Sequence, residues 1–403
     1  MSKTRILLMA EDITLAQVVR LVALGRALDP ARYEVHFACA RFDPLVFEGT
    51  PFVRHEIYTV DARWAFRRLE RGQRLYPERV LARYVADELA LFAAVKPHVV
   101  VGDLRFSLSV SAPHAGIPYA ALINAYWSRA MMRAEFPLPE HPIVRLLGER
   151  IAREGFPKAL PYVFKHFAAP VNALRKRHGL APLGDLIDLL MFGDLTLFPD
   201  VPGLTPLSRQ EDTQVFLGPV LWAPRVAPPA WWNGLDAGAA GPCAYLTLGS
   251  SGRLDRLPIA LRGLAQLDLR VMVATANRVD PATLDLGPRV SAAAYLPGDE
   301  AARRAAFVVC NGGSTTAYQA LYEGRPVLGI ASNLDQYLAM TAIRDAGAGI
   351  LLRSDTLTAE RVSAAARALL DDPRYAEAAR GLQRELRAYD SGARFAEALA
   401  RLA

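Results

Sequence analysis

Residues 308–321 constrain the fold more than any other part of the chain. The apolar triplet 308–310 predicts a short buried strand that stops at Asn-Gly-Gly (311–313), and three hydroxyl residues (314–316) follow. The glycines permit a tight turn, and the hydroxyls suit the start of a helix. Amides at a helix N-terminus attract anions because they lie at the positive end of the helix dipole. The segment therefore predicts a phosphate-binding turn, with an ordinary capped turn as the competing interpretation.

The residues after this helix repeat the alternation of helix and strand. Gly324 ends the helix, residues 325–330 predict a second buried strand, and Asn-Leu-Asp-Gln (333–336) follows directly. A further helix then leads to Gly-Ala-Gly at 347–349. Because ligands of open parallel sheets bind beyond the carboxyl ends of the strands, residues 311–336 predict a ligand site at one sheet edge.

The array from 311 to 349 resembles the nucleotide-sugar signature of glycosyltransferases with the GT-B fold, a family that includes UDP-glycosyltransferases and bacterial antibiotic and macrolide glycosyltransferases. The family pattern is His-Gly-Gly-x-Gly-Thr, an acidic residue on the helix, Gly-x-Pro, Asp-Gln and a Gly-x-Gly turn. Asn311, Thr315 and Gln319 replace the family's His, Gly and Glu. Asn311 can still donate to a phosphate oxygen, without a positive charge, and Gln319 can accept from a ribose hydroxyl less strongly than a carboxylate.

The resemblance implies that a nucleoside diphosphate sugar, UDP- or dTDP-linked, binds the second half of the chain. It places the diphosphate on two turns, the base near a Leu-Pro pair and the sugar hydroxyls on Asp-Gln. The implied donor-binding residues are Ser250, Ser251, Leu296, Pro297, Asn311, Gly312, Gly313, Ser314, Thr315, Thr316, Gln319, Asp335 and Gln336.

The implied fold class is α/β, with two Rossmann-like domains facing each other across a cleft. Residues 1–222 are predicted to be an acceptor-binding domain and 243–385 a donor-binding domain, joined by a linker at 223–242 that is rich in Pro, Gly and Ala. Residues 386–403 are predicted to form a helix that crosses back to the first domain. The opening strand, helix and strand lack a Gly-rich fingerprint, which argues against a dinucleotide cofactor there.

The catalytic base is the open question of the first domain. In the family, a histidine after the first strand deprotonates the acceptor hydroxyl, and Gln17 stands at its position. A glutamine amide cannot accept a proton near neutral pH. Either the base has been replaced, which traps a complex, or a carboxylate such as Asp12 or Asp103 serves, or the chain binds donor without turnover. If the chain is a disabled member, Gln17→His should raise transfer roughly 10²–10⁴-fold.

Asp103 follows a predicted strand, at the sheet edge where catalytic groups collect. The resemblance gives it the role of hydrogen-bonding the catalytic histidine, and a helix N-cap is the competing interpretation. The aromatic, Met-rich stretch 124–167 is broken by prolines early on, which favours a loop lining an apolar acceptor pocket, although ordinary core is an alternative. The preferred acceptor contacts are Trp127, Met131 and Phe136.

Composition excludes several other classes. The net charge of +6 comes from 47 basic and 41 acidic residues, without the basic-aromatic clusters of a nucleic-acid-binding protein. The three cysteines are far apart, so neither a metal site nor a redox pair is predicted. Neither a signal peptide nor an apolar run of the ~20 residues that a membrane span needs is present, which predicts a cytoplasmic protein.

The predicted activity is inverting, metal-independent transfer of a sugar to a hydroxyl of an apolar or aromatic small molecule or a lipid. The acceptor oxygen would attack the anomeric carbon from the face opposite the leaving diphosphate, and helix-end amides would stabilise the diphosphate in place of a metal. No cofactor is expected besides the donor. A nucleotide-sugar epimerase or hydrolase and a non-catalytic binding protein are the alternatives. The sequence does not predict the oligomeric state.

Overall fold

Short apolar runs that stop at polar or glycine residues form a seven-stranded parallel sheet in the first unit of the chain. The strands are β1 Thr4–Ala10, β2 Tyr33–Cys39, β3 Val53–Glu56, β4 Val99–Asp103, β5 Tyr119–Leu122, β6 Leu195–Phe198 and β7 Gln214–Phe216. Their order is β3-β2-β1-β4-β5-β6-β7. The central strands β1 and β4 are almost wholly buried, as expected for a sheet with helices on both faces.

The connections of the first unit are helical, as parallel strands require. The helices are α1 Leu15–Arg26, α2 Pro44–Phe47, α3 Ala62–Glu70, α4 Glu78–Val95, α5 Leu108–Ala115, α6 Glu149–Arg177 and α7 Leu186–Leu190. The longest, α6, contains three prolines. No helix in the described part of the chain is long and apolar enough to cross a membrane.

The second unit repeats the design with a six-stranded parallel sheet. Its strands are β8 Cys243–Thr247, β9 Arg270–Ala274, β10 Val290–Ala293, β11 Phe307–Cys310, β12 Val327–Ala331 and β13 Gly349–Arg353. Their order is β10-β9-β8-β11-β12-β13. The helices are α8 Leu257–Leu264, α9 Gly298–Arg304, α10 Ser314–Tyr322, α11 Leu334–Asp345, α12 Ala359–Asp371 and α13 Pro373–Arg387, and α14 Ser391–Ala400 follows in the chain.

The computed structural model describes residues 3–133, 135–140, 144, 148–235, 241–284 and 287–402, without the side chains of 149 and 235. The first unit comprises 1–132, 141–220 and 389–403, and the second comprises 133–140 and 221–388. Residues 236–240 of the predicted linker lie outside the described residues. Segment 133–140 belongs to the second unit because Glu140 accepts hydrogen bonds from the Tyr337 hydroxyl at 2.9 Å and the Asp355 amide at 3.0 Å.

The chain end packs within the first unit. The helix predicted over 386–403 is interrupted near its start, because the structure ends α13 at Arg387 and starts α14 at Ser391. The Asp390 side chain caps α14, and α14 packs against α1. Arg394 donates to the carbonyl of Phe216 at 2.6 Å, which ties α14 to the last strand of the first sheet.

Candidate active site

Both sheets have the strand order that creates a topological switch point. In the first unit the switch lies between β1 and β4, where Ala10 pairs with Asp103. In the second it lies between β8 and β11, where Thr247 pairs with Cys310. Ligands of open α/β sheets bind outside the carboxyl ends of strands at such points. The predicted residues 12 and 103, and likewise 250, 251 and 311, therefore lie at the edges where a site is expected.

Gln17 is a helix-capping residue in this structure. Its Oε1 accepts hydrogen bonds from the Ile13 amide at 3.0 Å and the Thr14 amide at 2.9 Å, which completes a capping box at the start of α1. The side chain is buried. The side-chain oxygen of Gln17 is therefore engaged with the backbone, and a glutamine amide does not accept a proton.

Asp103 is held in a buried ion pair. Arg20 donates two hydrogen bonds to Asp103, from Nε to Oδ2 at 2.9 Å and from Nη2 to Oδ1 at 2.7 Å. Its Nη1 donates to Asn124 Oδ1 at 2.6 Å. Asn124 donates in turn to Asp200 at 2.9 Å. A bidentate guanidinium strongly favours the ionised carboxylate. Asp103 thus positions Arg20 and the start of the segment after β5, and it is poorly suited to accept a proton.

Asp12 has the properties that Gln17 and Asp103 lack. It lies two residues after the end of β1, its backbone takes a left-handed φ of 47°, and its side chain is 14% exposed. Oδ2 is buried and has no hydrogen-bond partner among the described residues, since the nearest cation, Arg41 Nε, is 3.7 Å away. Burial raises the pKa of Asp12 above its ordinary value, although Arg41 opposes the shift. Left-handed non-glycine residues are concentrated at functional sites.

A second buried carboxylate cluster, which the sequence analysis missed, lies beside Asp12. Glu88 accepts from Arg105 Nε at 2.6 Å, and Glu11 accepts from the Tyr84 hydroxyl at 2.8 Å. Arg105 lies 3.6 Å from Glu11 and 4.4 Å from the centre of the Tyr84 ring. Burial raises the pKa of Glu11 to about 7. The available signal was Glu88, an acidic residue on the otherwise apolar face of α4.

In the second unit, a chain of hydrogen bonds joins the two predicted diphosphate turns. Asn311 Nδ2 donates to Ser251 Oγ at 3.0 Å, and Asn311 Oδ1 accepts from the Gly313 amide at 3.2 Å. Asn311 is buried, Ser251 is half-buried and Ser250 is exposed. The structure therefore brings residues after β8 and after β11 together, and Asn311 fixes their relative position.

Two glycines are sterically required at this edge. Gly312 has a φ of 78°, and a Cβ there would lie 2.7 Å from Met340 Cγ. A Cβ on Gly252 would lie 2.2 Å from the carbonyl oxygen of Leu248. At both glycines the turn lies too close to its neighbours to accommodate a side chain. Glycine is common where the backbone closely approaches a ligand.

Helix α10 begins directly at the glycine turn. Gly313 is its N-cap, so the amides of its first turn have no partner within the helix. Ser314 is buried, and Thr315 and Thr316 are half-buried. Thr315 Oγ1 is inaccessible to solvent and has no hydrogen-bond partner among the described residues. The N-terminal amides of α10, its helix dipole and a hydroxyl are therefore together, which is an arrangement suited to an anion.

The remaining predicted donor residues are placed around this edge. Gln319 is buried on α10, and its amide donates to the carbonyl of Trp222. Leu296 and Pro297 are buried just before α9. Gln336 Oε1 accepts from the Ser332 amide at 2.9 Å, which closes the turn before α11, and Asp335 is half-buried in the first turn of that helix. The side-chain oxygen of Gln336 is thus engaged within the protein.

The three predicted acceptor contacts do not share one unit. Trp127 is half-buried in a short 3-10 helix over Ala125–Trp127, and Met131 is buried and bridged to Leu207 by backbone pairing. Both belong to the first unit. Phe136 belongs to the second unit, where Arg133 lies 5.2 Å from the centre of its ring. Among the described residues, no three His, Cys, Asp or Glu side chains cluster as metal ligands would.

Comparison with known proteins shows which family this chain resembles. The family model "Erythromycin biosynthesis protein CIII-like, C-terminal domain" matches residues 259–402. A PGL/p-HBAD biosynthesis glycosyltransferase of Mycobacterium tuberculosis H37Ra is 45% identical over 94% of this chain and 88% of its own length. A PGL/p-HBAD biosynthesis rhamnosyltransferase of Mycobacterium bovis BCG is 46% identical over 94% of this chain and 83% of its own. The solved structure of the spinosyn rhamnosyltransferase SpnG complexed with thymidine diphosphate is 19% identical, covers 98% of this chain and 100% of its own, and has a TM-score of 0.67.

Two Rossmann-like units define the GT-B fold class, and the predicted fold class is confirmed. The chain belongs to the same glycosyltransferase family as these PGL/p-HBAD biosynthesis relatives, and it is a glycosyltransferase.

Proposed function

We propose that this glycosyltransferase moves a sugar from a dTDP- or UDP-linked donor to a hydroxyl of an apolar or aromatic small molecule or a lipid, with inversion at the anomeric carbon. The observation that supports the proposal is the pair of turns in the second unit, where hydrogen bonds join Ser251, Asn311 and Gly313 beside the N-terminal amides of α10. The names of the rhamnosyltransferase relative and of the thymidine diphosphate complex favour dTDP-rhamnose as the first donor to test.

Asp12 is the proposed general base. It takes the acceptor proton as the acceptor oxygen bonds to the anomeric carbon, and the electron pair of the broken bond leaves on the diphosphate. Support comes from its place after the central strand, its unbonded Oδ2 and its raised pKa. A carboxylate whose pKa is raised toward the operating pH is a stronger proton acceptor than one with the ordinary pKa. Gln17 and Asp103 are engaged elsewhere.

The donor half of the proposal is tested by calorimetric titration with dTDP, UDP, GDP and NAD in the absence of acceptor. Binding of dTDP or UDP alone is expected. If none of the nucleotides binds, the donor site is wrong. Transfer from dTDP-rhamnose and from UDP-sugars to a panel of phenols and long-chain alcohols then identifies an acceptor class.

The base is tested with that acceptor. Asp12→Asn should lower kcat roughly 10²–10⁴-fold and leave nucleotide affinity unchanged, and Asp87→Asn, an exposed carboxylate of the same unit, should have no effect. Wild-type activity should rise with pH through the pKa of Asp12, because only the ionised form accepts a proton. Full activity of Asp12→Asn would exclude this base. A large rise in activity of Gln17→His would instead favour a base-disabled enzyme, the second candidate, which rests on the glutamine at the position of the family's histidine.

A further inference from the structure

An arginine that no predicted site includes lies next to the first diphosphate turn. The loop after β9 contains two consecutive left-handed residues, Ala276 and Asn277, with φ of 53° and 55°. The loop is closed by the Arg278 amide, which donates to the Thr275 carbonyl at 3.2 Å, and by the Thr275 hydroxyl, which donates to the Val279 carbonyl at 2.8 Å. This tight, hydrogen-bonded reversal fixes where the side chain of Arg278 begins.

The guanidinium of Arg278 is bound to the turn itself. Nη1 donates to the carbonyl oxygens of Gly249 at 3.1 Å and Gly252 at 2.6 Å. The contact follows from the sheet, because β8 and β9 are neighbours and end together where Thr247 pairs with Ala274. Arg278 therefore holds both ends of the turn that carries Ser250 and Ser251.

The positive charge of Arg278 has no counter-ion in the described part of the chain. No carboxylate lies within ion-pair distance of it, whereas Arg253, at the end of the same turn, pairs with Asp255 at 2.9 Å. The guanidinium is partly exposed, and burial of the remainder lowers the pKa of Arg278. A partly desolvated cation without a counter-ion is unfavourable, and an anion bound beside it would offset that cost.

The opposite side of the turn lacks charge. Asn311, which stands where the resembled family has histidine, binds Ser251 as a neutral amide. The other residues of the two turns contribute hydroxyls and amides. We infer that Arg278 is the cation that binds the donor diphosphate, and that it supplies the positive charge that Asn311 cannot. This inference rests on the proposed function and deepens it.

Such a cation matters most as the glycosidic bond breaks. The bond between the anomeric carbon and the phosphate oxygen leaves its electron pair on the diphosphate, which gains one negative charge. A fixed guanidinium stabilises that developing charge more than it stabilises the intact donor. Arg278 keeps its proton throughout, and the acceptor proton goes to the base.

The test is calorimetric affinity for dTDP and UDP, and for thymidine and uridine, at low and high salt. Arg278→Gln should weaken diphosphate binding by about 10-fold or more and leave nucleoside binding unchanged. Arg278→Lys, which keeps the charge, should be intermediate. Arg289→Gln is the matched control, because it removes the same charge at the opposite edge of the sheet. Arg289 lies just before β10 and pairs with Asp268.

Each outcome decides a different claim. If wild type binds neither dTDP nor UDP, the proposed function fails. If wild type binds and Arg278→Gln binds equally well, only the inference about Arg278 is overturned. If Arg278→Gln unfolds because its bonds to the turn are lost, the inference is tested by the salt dependence of wild-type affinity. Affinity for the diphosphates should then fall with salt much more than affinity for the nucleosides. Equal salt dependence would overturn the inference.

Discussion

The carboxyl edges of the two sheets share a strand order but contain different chemical groups. At the first edge, Asp103 is buried against Arg20, and Glu11 and Glu88 are buried around Arg105. At the second edge the corresponding positions carry glycines, hydroxyls and the amide of Asn311. The first edge thus contains buried ion pairs, whereas the turns of the second contain neutral hydrogen-bonding groups and are contacted by a single unpaired cation, Arg278, among the described residues.

The proposed function explains this difference, because it assigns proton transfer to the first edge and an anionic ligand to the second. Buried charges fix one another in place and shift pKa values, which suits a site where a proton moves. An anionic ligand brings its own charge, so its site needs oriented donors and close backbone more than further carboxylates. Under the proposed function, the first unit therefore handles the proton and the second binds the donor, and four substitutions test this division.

The largest effect is expected at Asp103. Asp103→Asn leaves the guanidinium of Arg20 buried without its carboxylate, which should cost about 3–5 kcal/mol in the free energy of unfolding. Urea denaturation measures it. Asp345→Asn, which breaks the exposed pair with Arg344, is the control and should cost ~0–1 kcal/mol. If the two substitutions cost the same, the buried charges of the first edge are not structural.

Glu11 should make stability depend on pH. Its folded pKa of about 7 lies above the ordinary value of 4.5, so the folded state binds more protons between these values. Stability is therefore highest below about pH 4.5, falls as pH rises toward 7 and is constant above, a loss on the order of 3 kcal/mol.

The measurement is urea denaturation between pH 5 and 8, on wild type and Glu11→Gln. The difference between the two proteins should change in this range, because glutamine does not titrate. For Glu48→Gln, at an exposed position, the free energy of unfolding should depend on pH in the same way as for wild type. A constant difference between wild type and Glu11→Gln would show that Glu11 titrates normally.

At the second edge, Gly312→Ala should act through geometry and not through charge. The new methyl group would meet Met340 Cγ at 2.7 Å on a backbone with φ of 78°, which should cost about 1–3 kcal/mol in stability and displace the donor turn. Gly347→Ala separates the two causes, since Gly347 has a similar φ of 74° but its nearest contact is 3.6 Å. Nucleotide affinity should fall for Gly312→Ala alone. Equal nucleotide affinity and equal stability of the two variants would contradict the steric explanation.

Local sequence predicted much of the second edge and little of the first. A strand, a glycine turn and a helix cap lie within a few consecutive residues at 308–316, so their pattern is visible in the sequence. The pair of Arg20 with Asp103 joins residues 83 positions apart, and only the fold brings them together. The cap made by Gln17 does have a local sequence signature, because Thr14 and Gln17 have the spacing of a capping box. Arg278 was missed since its importance depends on a neighbouring strand.

The smallest effect is expected at Thr315, and it tests whether the second edge is built for a ligand. Thr315→Val removes a buried hydroxyl that has no partner in the described structure, so stability should change by less than about 1 kcal/mol. Affinity for dTDP or UDP should nevertheless fall roughly 2- to 10-fold, if that hydroxyl donates to a phosphate oxygen. Thr341→Val is the matched control, because the Thr341 hydroxyl is likewise buried without a partner, but on α11. Equal nucleotide affinity for the two variants would mean that the Thr315 hydroxyl is unsatisfied without serving the ligand.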